Sequence, residues 1–353
     1  MSTLLRVLRE KWWTTNTLPP MSLKGKTILI TGTNAGIGFE TAKKLATLGP
    51  KKLIITTRSI SKGENTLRDI TKHMAETTDD QQTEIVPLTL DMATLHDVEG
   101  FVKNLQTNTD RLDGAILNAG MQRPTQHVGV DGYEDMIQVN AISTTYLAVL
   151  LLPLLTSTAN TTNTQTHLTF VSSRAGTRVS TTEISPYSSS TSPMKLMSRP
   201  ENFPPGGLGG QARYGQSKLL LEYAMRHLVN VPSLRNKDVK PNVIINSVCP
   251  GVTKSDLGRN FDSWVQQFFI NWIFYPLVGK SAEQGANCYL LAYAQGDESH
   301  GKLSAAGDSY VEEWDAIRSD AGRDFGDKVW AEMVQIMSSR PGTGARDILS
   351  PNA

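Results

Sequence analysis

The chain has 353 residues, of which 39% are hydrophobic and 20% charged, a composition typical of a globular protein with a sizeable apolar core. Lysine and arginine number 35 against 34 acidic residues, so the net charge of +1 excludes a strong attraction to nucleic acid or to an anionic membrane. The two cysteines, Cys249 and Cys288, form neither a metal-ligand spacing nor a disulfide framework, which indicates a reducing, cytoplasmic compartment and no metal site.

The N-terminal extension, residues 1–22, carries no continuous apolar run and no small-residue cleavage site, so a secretory signal is not expected. Leu5, Leu8 and Trp12 would share one side of a short helix. We expect that helix to dock onto the main domain; peripheral contact with a membrane, or a role in an organelle, is the alternative. No apolar stretch approaches the roughly 20 residues that span a bilayer, so no transmembrane segment is expected.

From residue 23 onward, apolar β-rich runs alternate with helical patterns such as residues 39–48 and 98–106. Most of the strand runs are apolar on both faces, which is typical of strands covered by helices on both sides. The alternation predicts an α/β, Rossmann-type, doubly wound parallel sheet in a single domain, residues 23–307. In chain order, the predicted strands are TILITG, KLIITTR, EIVPLTLD, LDGAILNAG, THLTFVSS and NVIINSVCP.

The first predicted strand runs into the glycine-rich turn TGTNAGIG, residues 31–38. Gly32, Gly36 and Gly38 stand between strand and helix, where glycine lets the backbone approach a pyrophosphate whose charge lies at the helix N-terminus. Asn34, inside the turn, is a further candidate contact. The spacing differs from the usual G-x-G-x-x-G, so the turn alone is a weak indicator of a dinucleotide site.

The second predicted strand ends at Arg58, and Lys62 follows four positions later. A dinucleotide fold that selects NAD places an acid at this point to bind the ribose 2′-hydroxyl. Here no acid occupies the position, and a cation fits the 2′-phosphate of NADP. The sequence therefore predicts NADP(H) rather than NAD(H). A solvated arginine at a strand end would explain the charge but not the missing acid.

Residues 177–211 interrupt the pattern and include the stretches PYSSSTSP and FPPGGLGG. So long a loop inside a compact domain is typical of a functional lid or a disordered insert, and its position favours a loop that faces the substrate near the active site. After it comes the stretch RYGQSKLLLEYAMRHL, where Tyr214 and Lys218 are one helical turn apart. Taken alone, that spacing is better explained by packing and a solvated lysine.

Together these features resemble the short-chain dehydrogenase/reductase family over roughly residues 23–303. The segment YGQSK and the long chain are most similar to retinol-dehydrogenase-like members and to reductases of fungal secondary metabolism. The motifs stand in the family's order: Thr31-Gly32-x-x-x-Gly36-Ile37-Gly38, Asp91, Asn118-Ala119-Gly120, Asn140, Ser173, Tyr214-x-x-x-Lys218 and Pro250-Gly251.

The resemblance implies that Tyr214 is the acid/base, which donates a proton to a carbonyl oxygen as hydride reaches the carbon. Lys218 would lower the tyrosine pKa, which is about 10 in the free side chain, and would hold the nicotinamide ribose. Ser173 would donate a hydrogen bond to the same oxygen, with Ser172 as the competing choice. Asn140 would hold a water of the proton relay, and it would also pin a helix kink through its side chain.

Other positions are implied as cofactor contacts. Asp91 would bind the adenine, and the backbone of Thr253 matches the position that meets the nicotinamide carboxamide. Ser255 is a conservative departure from the threonine common in the family, and Leu117 is a second departure; neither is expected to endanger the fold. With the glycine turn, Asn34, Arg58 and Lys62, the implied cofactor-binding residues are Ile37, Asp91, Asn118, Gly120, Tyr214, Lys218, Pro250, Gly251, Thr253 and Ser255.

Ser173 and Tyr214 are 41 positions apart, against a dozen or two in most members of the family. Tyr187 lies nearer the common distance, but Thr191 rather than a lysine follows it by four positions. Tyr214 is therefore the predicted acid/base, and residues 177–211 must either fold away or lie over the site.

Residues 256–285 would lie on the substrate side, and residues 308–353 are expected to form a C-terminal helical extension and a loose tail. The aromatic side chains after the Pro250-Gly251 motif are interpreted as helix packing, as an apolar pocket wall, or as a membrane contact. They are Trp264, Phe268, Phe269, Trp272, Phe274 and Tyr275.

The sequence thus predicts an NADPH-dependent carbonyl reductase, or the reverse alcohol dehydrogenase, for a hydrophobic ketone, aldehyde or alcohol of secondary metabolism. A redox-neutral enzyme, such as an epimerase or cyclase, and a non-catalytic nucleotide-binding regulator are the alternatives. The intact set of catalytic residues argues against the regulator. The resemblance also implies a homodimer or homotetramer built on helices that flank the catalytic face.

Overall fold

The computed structural model describes residues 18, 20–77, 82–231, 240–253, 279–305, 309–341 and 344–349. The predicted N-terminal helix, Ser255 and the aromatic cluster from Trp264 to Tyr275 lie outside the described residues. The substrate-side region, residues 256–285, is described only from residue 279 onward.

An eight-stranded sheet of order β3-β2-β1-β4-β5-β6-β7-β8 organises the described chain. The pairs from β3 to β7 are all parallel, and β8 pairs with β7 in the antiparallel direction. The doubly wound parallel sheet predicted from the sequence is therefore confirmed. The strands are β1 (Thr27–Ile30), β2 (Lys52–Thr57), β3 (Glu84–Thr89), β4 (Gly114–Leu117), β5 (Thr166–Val171), β6 (Val243–Cys249), β7 (Leu303–Ala305) and β8 (Ser309–Tyr310).

All six predicted strands are present, and β7 and β8 are the two that the sequence pattern did not reveal. Both are short, with three and two residues, so they leave almost no alternation to detect. β8 lies inside the predicted C-terminal extension, which therefore contributes an edge strand as well as helices.

The strands β1, β4 and β6 are buried along their whole length, because helices cover both faces of the sheet. The helices of this layer are α1 (Gly36–Thr47), α2 (Ile60–Thr77), α3 (Leu95–Asn108), α4 (Asp135–Ile137), α5 (Thr144–Thr162), α8 (Gly209–Leu228) and α9 (Ala282–Tyr293). One apolar cluster packs α3 and α5 against one face of the sheet, and a second packs α1 and α9 against the other.

A π-helical stretch, Gln138–Ser143, joins α4 to α5 and makes one long apolar segment. Among the described helical segments, Asp135–Thr162 is the one long and apolar enough to cross a membrane. Its most apolar window is 78% buried inside the protein, as a core helix requires.

The insert, residues 177–211, is folded into short helical turns, which corrects the expectation of a loop with little regular structure. It contains α6 (Thr181–Ile184) and α7 (Pro193–Met197), and a capping box formed by Ser180 and Glu183 starts α6. Met194 and Met197 are fully buried and Tyr187 is nearly so. The sequence pattern failed here because each helix is only one turn long, too short to show periodicity.

The C-terminal extension packs on the outer side of α8. It contains α10 (Asp315–Arg318), α11 (Asp320–Ser338) and α12 (Ala345–Leu349). The ring of Phe325 meets Tyr223 edge-on with 5.9 Å between centroids, and Trp330 stacks on His227 at 5.3 Å. α11 therefore covers this face of α8, so a homodimer or homotetramer would have to use another surface.

Candidate active site

Tyr214 and Lys218 lie on α8 where that helix crosses the carboxyl end of β5. Lys218 is buried, and its Nζ donates a hydrogen bond of 2.8 Å to the carbonyl oxygen of Val171. The same Nζ is 5.9 Å from the centroid of the Tyr214 ring. One helical turn thus places both side chains at the edge of the sheet where parallel α/β folds bind their ligands.

The two consecutive serines after β5 point in different directions. Ser173 makes a side-chain hydrogen bond with Tyr214, and its Oγ accepts the backbone N–H of Ala175 at 3.1 Å. Ser172 is buried and lies beside Glu222 on the interior side of α8. Since successive residues of an extended chain face opposite sides, the serine next to Tyr214 is Ser173.

Asn140 lies in the π-helical stretch and is fully buried. Its Nδ2 donates to the Met121 carbonyl at 2.8 Å and to Ser217 Oγ at 3.0 Å, while its Oδ1 accepts the Met121 N–H at 2.8 Å. Ser217 Oγ in turn donates to the carbonyl of Tyr214 at 2.8 Å. Asn140 therefore ties the segment after β4 to the first turns of α8, and π-helical stretches of this kind are frequent at functional sites.

The glycine turn has no room for side chains. Gly32 and Gly36 have φ of 72° and 62°, where glycine is favoured, and a Cβ on Gly38 would lie 2.3 Å from the Gly32 carbonyl oxygen. Ile37 is buried beneath the turn and Asn34 is exposed at its tip. The backbone is thus open to a close approach by a ligand at the N-terminus of α1.

Asn118, predicted to line the cofactor, holds the glycine turn in place. Its Nδ2 donates to the carbonyls of Thr31 and Gly32 at 2.8 and 3.0 Å. Its Oδ1 accepts the hydroxyl of Tyr289, a buried side chain of α9, at 3.0 Å. The sequence analysis did not identify Tyr289, because this residue lies 171 positions after Asn118 and no motif links the two.

Arg58 directly follows β2, Lys62 lies in the first turn of α2, and both side chains are exposed. A hydrogen bond of 3.1 Å from the Gly32 N–H to Thr56 Oγ1 joins the glycine turn to the carboxyl end of β2. Asp91, one strand further out, is half-buried and accepts the Ala93 N–H at 2.9 Å.

The segment after β6 lies on a further side of the site, and Gly251 in this segment has a φ of 81°. Thr253 is buried and pairs with Lys280 in a short parallel bridge. A Cβ on Gly285 would lie 2.9 Å from Thr253 Cγ2 and 3.2 Å from Ile37 Cγ1, so Thr253 lies against the glycine turn. Gly120 and Asn140 form the floor of the site, and a Cβ added to Gly120 would be 3.1 Å from Asn140 Oδ1.

Burial dominates the electrostatics of the tyrosine–lysine pair. It raises the pKa of Tyr214 to about 12, although the hydrogen bond from Ser173 opposes the shift. It lowers the pKa of Lys218 to about 8, against the attraction of the Glu222 carboxylate. The net lowering of the tyrosine pKa expected from the sequence is therefore not found in this structure, because burial of Tyr214 outweighs the groups that favour its ionised form. At neutral pH the arrangement offers a tyrosine proton next to an ammonium group.

The arrangement of Ser173, Tyr214 and Lys218 suits proton donation to an oxygen. Within the described ranges, no group of three or more histidine, cysteine, aspartate or glutamate side chains could hold a metal ion. Both Cys249 and Cys288 are buried thiols outside any disulfide.

Comparison with known proteins identifies relatives across most of the chain. The family model described as short chain dehydrogenase matches residues 26–200. The short-chain dehydrogenase/reductase phmF of Phaeosphaeria nodorum is 34% identical over 319 residues, which are 90% of this chain and 88% of that protein. The short-chain dehydrogenase/reductase ffsI of Aspergillus flavipes is 32% identical over 93% of this chain and 92% of its own.

Solved structures share the fold at lower identity. A Pseudomonas aeruginosa RhlG/NADP active-site complex superposes with a TM-score of 0.57 at 21% identity, covering 81% of this chain and 96% of that one. A 3-ketoacyl-(acyl-carrier-protein) reductase from Brucella melitensis complexed with NADH gives 0.54 at 18% identity over 80% and 97%. At this identity the likeness concerns the fold alone.

Proposed function

Because the chain belongs to the short-chain dehydrogenase/reductase family, we propose that it is an NADPH-dependent carbonyl reductase, or the reverse alcohol dehydrogenase. The observation that carries this proposal is the meeting of Ser173, Tyr214 and Lys218 at the carboxyl edge of the sheet. These three groups come from the segment after β5 and from α8, and they supply a hydrogen-bond donor, a proton donor and a cation around one point.

The residues around the glycine turn fit a dinucleotide. Gly32, Gly36 and Gly38 leave the backbone bare at the N-terminus of α1, as a pyrophosphate requires. Arg58 after β2 and Lys62 in the first turn of α2 are exposed where a 2′-phosphate would need cations, so we propose NADP(H) rather than NAD(H). Asp91 and Gly120 would lie along the adenine side, and Pro250, Gly251 and Thr253 along the nicotinamide side.

Bound NADPH would supply the hydride to the carbonyl carbon. Tyr214 then donates its proton to the carbonyl oxygen, and Ser173 donates a hydrogen bond that strengthens as negative charge develops there. The Lys218 ammonium stabilises the tyrosinate that remains. Asn140 keeps the first turns of α8 in register with the segment after β4.

We propose a hydrophobic ketone, aldehyde or alcohol of secondary metabolism as the substrate class. The fungal relatives support a role in secondary metabolism. Apolar side chains of the insert that face α8 support an apolar substrate. A groove of about 420 Å³ runs between the insert and α8, where Ala212 and Gln216 rather than Tyr214 or Lys218 line it, and most of its lining is apolar or aromatic. Its apolar and aromatic side chains are Pro186, Tyr187, Phe203, Pro204, Pro205 and Ala212.

Cofactor titration tests the phosphate end of the site. We expect wild-type protein to bind NADPH more tightly than NADH, because Arg58 and Lys62 pair with the 2′-phosphate. Arg58→Asp should remove that preference by introducing repulsion. The matched control is Arg68→Asp, the same charge reversal at an exposed position further along α2, which should leave the preference intact. Equal binding of both cofactors by the wild type would contradict the assignment of NADPH.

A turnover assay tests the proposed catalytic role of Tyr214. With NADPH and a panel of hydrophobic ketones and aldehydes, Tyr214→Phe should lower kcat by roughly 10²- to 10⁴-fold, since it removes the proton donor. NADPH binding by this variant should be unchanged. Loss of NADPH absorbance in step with product would separate a reductase from a redox-neutral epimerase or cyclase. An active Tyr214→Phe variant would refute the assignment.

A further inference from the structure

Glu222 is a buried carboxylate that the catalytic scheme does not use. It lies on α8 one turn beyond Lys218, and only 1% of it is exposed. Tyr214, Lys218 and Glu222 follow one another at intervals of four residues, so they share one side of the helix. A carboxylate is rarely buried to this degree unless charges or hydrogen-bond donors compensate it.

Two hydroxyls face that carboxylate from the sheet. Ser172 follows β5 and Ser247 belongs to β6, and both lie beside Glu222. In the described part of the chain, neither hydroxyl has another hydrogen-bond partner, and neither carboxylate oxygen does. Hydroxyl hydrogens rotate freely, so turning each one toward Glu222 satisfies all three side chains at once. This pairing also explains why Ser172 points away from Tyr214.

Lys218 is the buried cation next to this group. Its own surroundings are Tyr214 on α8, the carbonyl of Val171, Cys249 at the end of β6, and Asn140 and Gly120 across the floor. Within the described residues that surround it, Glu222 is the carboxylate that acts on this ammonium. Arg226, another turn along α8, also acts on the Glu222 carboxylate from its outer end.

Burial opposes the charges on both groups, and each charge offsets part of that penalty for the other. Burial lowers the pKa of Lys218 to about 8, and the Glu222 carboxylate works against that shift. Burial raises the pKa of Glu222, while the hydroxyls of Ser172 and Ser247, then Arg226 and Lys218, lower it. An ammonium left without a counter-charge at this depth would lose its proton more readily.

We propose that Glu222 is a positioning residue, whose carboxylate is held by Ser172 and Ser247 and keeps Lys218 charged behind Tyr214. The inference rests on the proposed function only in giving Tyr214 and Lys218 their catalytic roles. The placement of the carboxylate one helical turn from the ammonium, on the same side of α8, is a property of the fold.

The ionisation of Lys218 can be measured directly by NMR of protein labelled with ¹³C at lysine Cε, with the signal assigned by its loss in Lys218→Met. We expect Glu222→Gln to lower the pKa of Lys218 by about 1 or more. Glu222→Asp retains the charge and should restore most of the wild-type value. Glu99→Gln, which removes a carboxylate paired with Arg340 on another helix, is the matched control and should leave Lys218 unchanged.

An unchanged pKa of Lys218 in Glu222→Gln overturns the proposal, because it means that Glu222 is neutral or too remote to act. If Glu222→Gln does not fold, Ser172→Ala decides instead: with one donor lost, the carboxylate pKa rises and the pKa of Lys218 should fall by a smaller amount. No change in that variant overturns the proposal equally.

The NMR titration needs no turnover, so it separates this inference from the proposed function. A shifted pKa of Lys218 without any NADPH-dependent turnover would support the action of Glu222 on Lys218 and contradict the reductase. In an active enzyme, the alkaline limb of the pH profile for reduction should move to lower pH in Glu222→Gln by the same amount as the lysine pKa. A limb that stays in place would refute a role for Glu222 in catalysis.

Discussion

The glycine turn forms a first, steric wall and the insert a second, polar wall, and different forces hold them. The turn, residues 31–38, is fixed by buried strands and by the absence of side chains at Gly32 and Gly38. The insert, residues 177–211, is fixed by polar side chains that reach it from the C-terminal extension. Backbone sterics therefore shape the first wall, while a few long-range hydrogen bonds shape the second.

Glu332 of α11 is the centre of the second wall. Its carboxylate accepts the backbone N–H groups of Met194 and Lys195 at 2.7 and 3.0 Å, and the hydroxyl of Tyr133 at 3.3 Å. Lys328 of the same helix donates to the carbonyl of Ser188 at 2.6 Å. A helix near the end of the chain thus caps the N-terminus of α7 in the insert.

Arg213 connects the insert to α8, the proposed catalytic helix, since it directly precedes Tyr214. It is fully buried, and its Nη2 donates to the carbonyls of Met197 and Asn202 at 2.7 and 2.6 Å. The carboxylate of Glu134 acts on it from the N-terminus of α4. The position of the insert and the start of the catalytic helix are therefore set by the same side chain.

The largest effect is expected from Gly38→Ala, which would break the steric wall. The new Cβ would lie 2.3 Å from the Gly32 carbonyl oxygen and 2.4 Å from Asn118 Nδ2, so the turn must shift. We expect a loss of about 3 kcal/mol in the free energy of unfolding and a fall in NADPH affinity of roughly 100-fold. Urea denaturation and cofactor titration measure the two effects.

Gly100→Ala is the matched control for that substitution. Gly100 lies inside α3, and a Cβ there would meet nothing within 4 Å. Alanine should therefore stabilise the protein slightly, by about 0.5–1 kcal/mol, through its better helix propensity. A Gly38→Ala variant that binds NADPH as tightly as the wild type would show that the turn is not a phosphate cradle.

A smaller effect is expected from Glu332→Gln, which weakens the polar wall. The amide keeps the shape of the side chain but loses the charge, and its NH₂ group would face backbone donors. We expect a loss of about 2 kcal/mol in the free energy of unfolding. The insert should also become easier to cleave in limited proteolysis, while cofactor affinity should change little.

Asp324→Asn on the same helix is the control, since it removes an exposed charge that pairs with Lys328. It should cost less than about 1 kcal/mol. If Glu332→Gln and Asp324→Asn are equally mild, the buried carboxylate does not hold the insert and the contrast between the two walls fails.

The smallest effect is a pH dependence at Glu134, which is fully buried and caps α4. Burial raises its pKa to about 7, so between about pH 4.5 and 7 the folded protein keeps a proton that the unfolded chain releases. Its contribution to stability is therefore lost as the pH rises through that window. Since a tenfold change in a proton-binding constant is worth about 1.4 kcal/mol, we expect the free energy of unfolding to decline by at least about 1 kcal/mol.

Glu134→Gln should remove this decline, because glutamine can still accept the N–H groups of Met136 and Ile137 without titrating. Chemical denaturation of both proteins at pH 5 and pH 7 gives the comparison. Identical pH dependence in the two proteins would mean that Arg213 keeps Glu134 ionised throughout.

Much of the fold could be predicted because its signals are local. Six strands and the glycine turn follow from apolar runs and from glycines within a few residues of one another. The family relationship, inferred from motif order, is confirmed by the relatives. The threonine-rich stretch 156–166 has the composition of a polar loop, yet α5 continues to Thr162, because packing against the core outweighs weak helix propensity.

The sequence indicated some residues of the proposed site more clearly than others. Tyr214 and Lys218 are one turn apart in sequence and in space, so their spacing and motif context indicated them. Ser172 and Ser173 could be told apart only when the structure showed which one faces Tyr214. Glu222 could have been found by extending the same four-residue spacing by one more turn.

Local sequence signals specify the parallel sheet, the bare glycine turn and the tyrosine–lysine pair, since periodicity and backbone sterics act over a few residues. Tertiary packing alone brings Glu332 to cap a helix 138 residues earlier in the chain, and brings Ser172 and Ser247 onto Glu222. Such contacts leave no spacing to read, because their partners meet only after the sheet and its helices have packed. The physical reason is that burial, rather than sequence distance, selects the partner of a polar side chain.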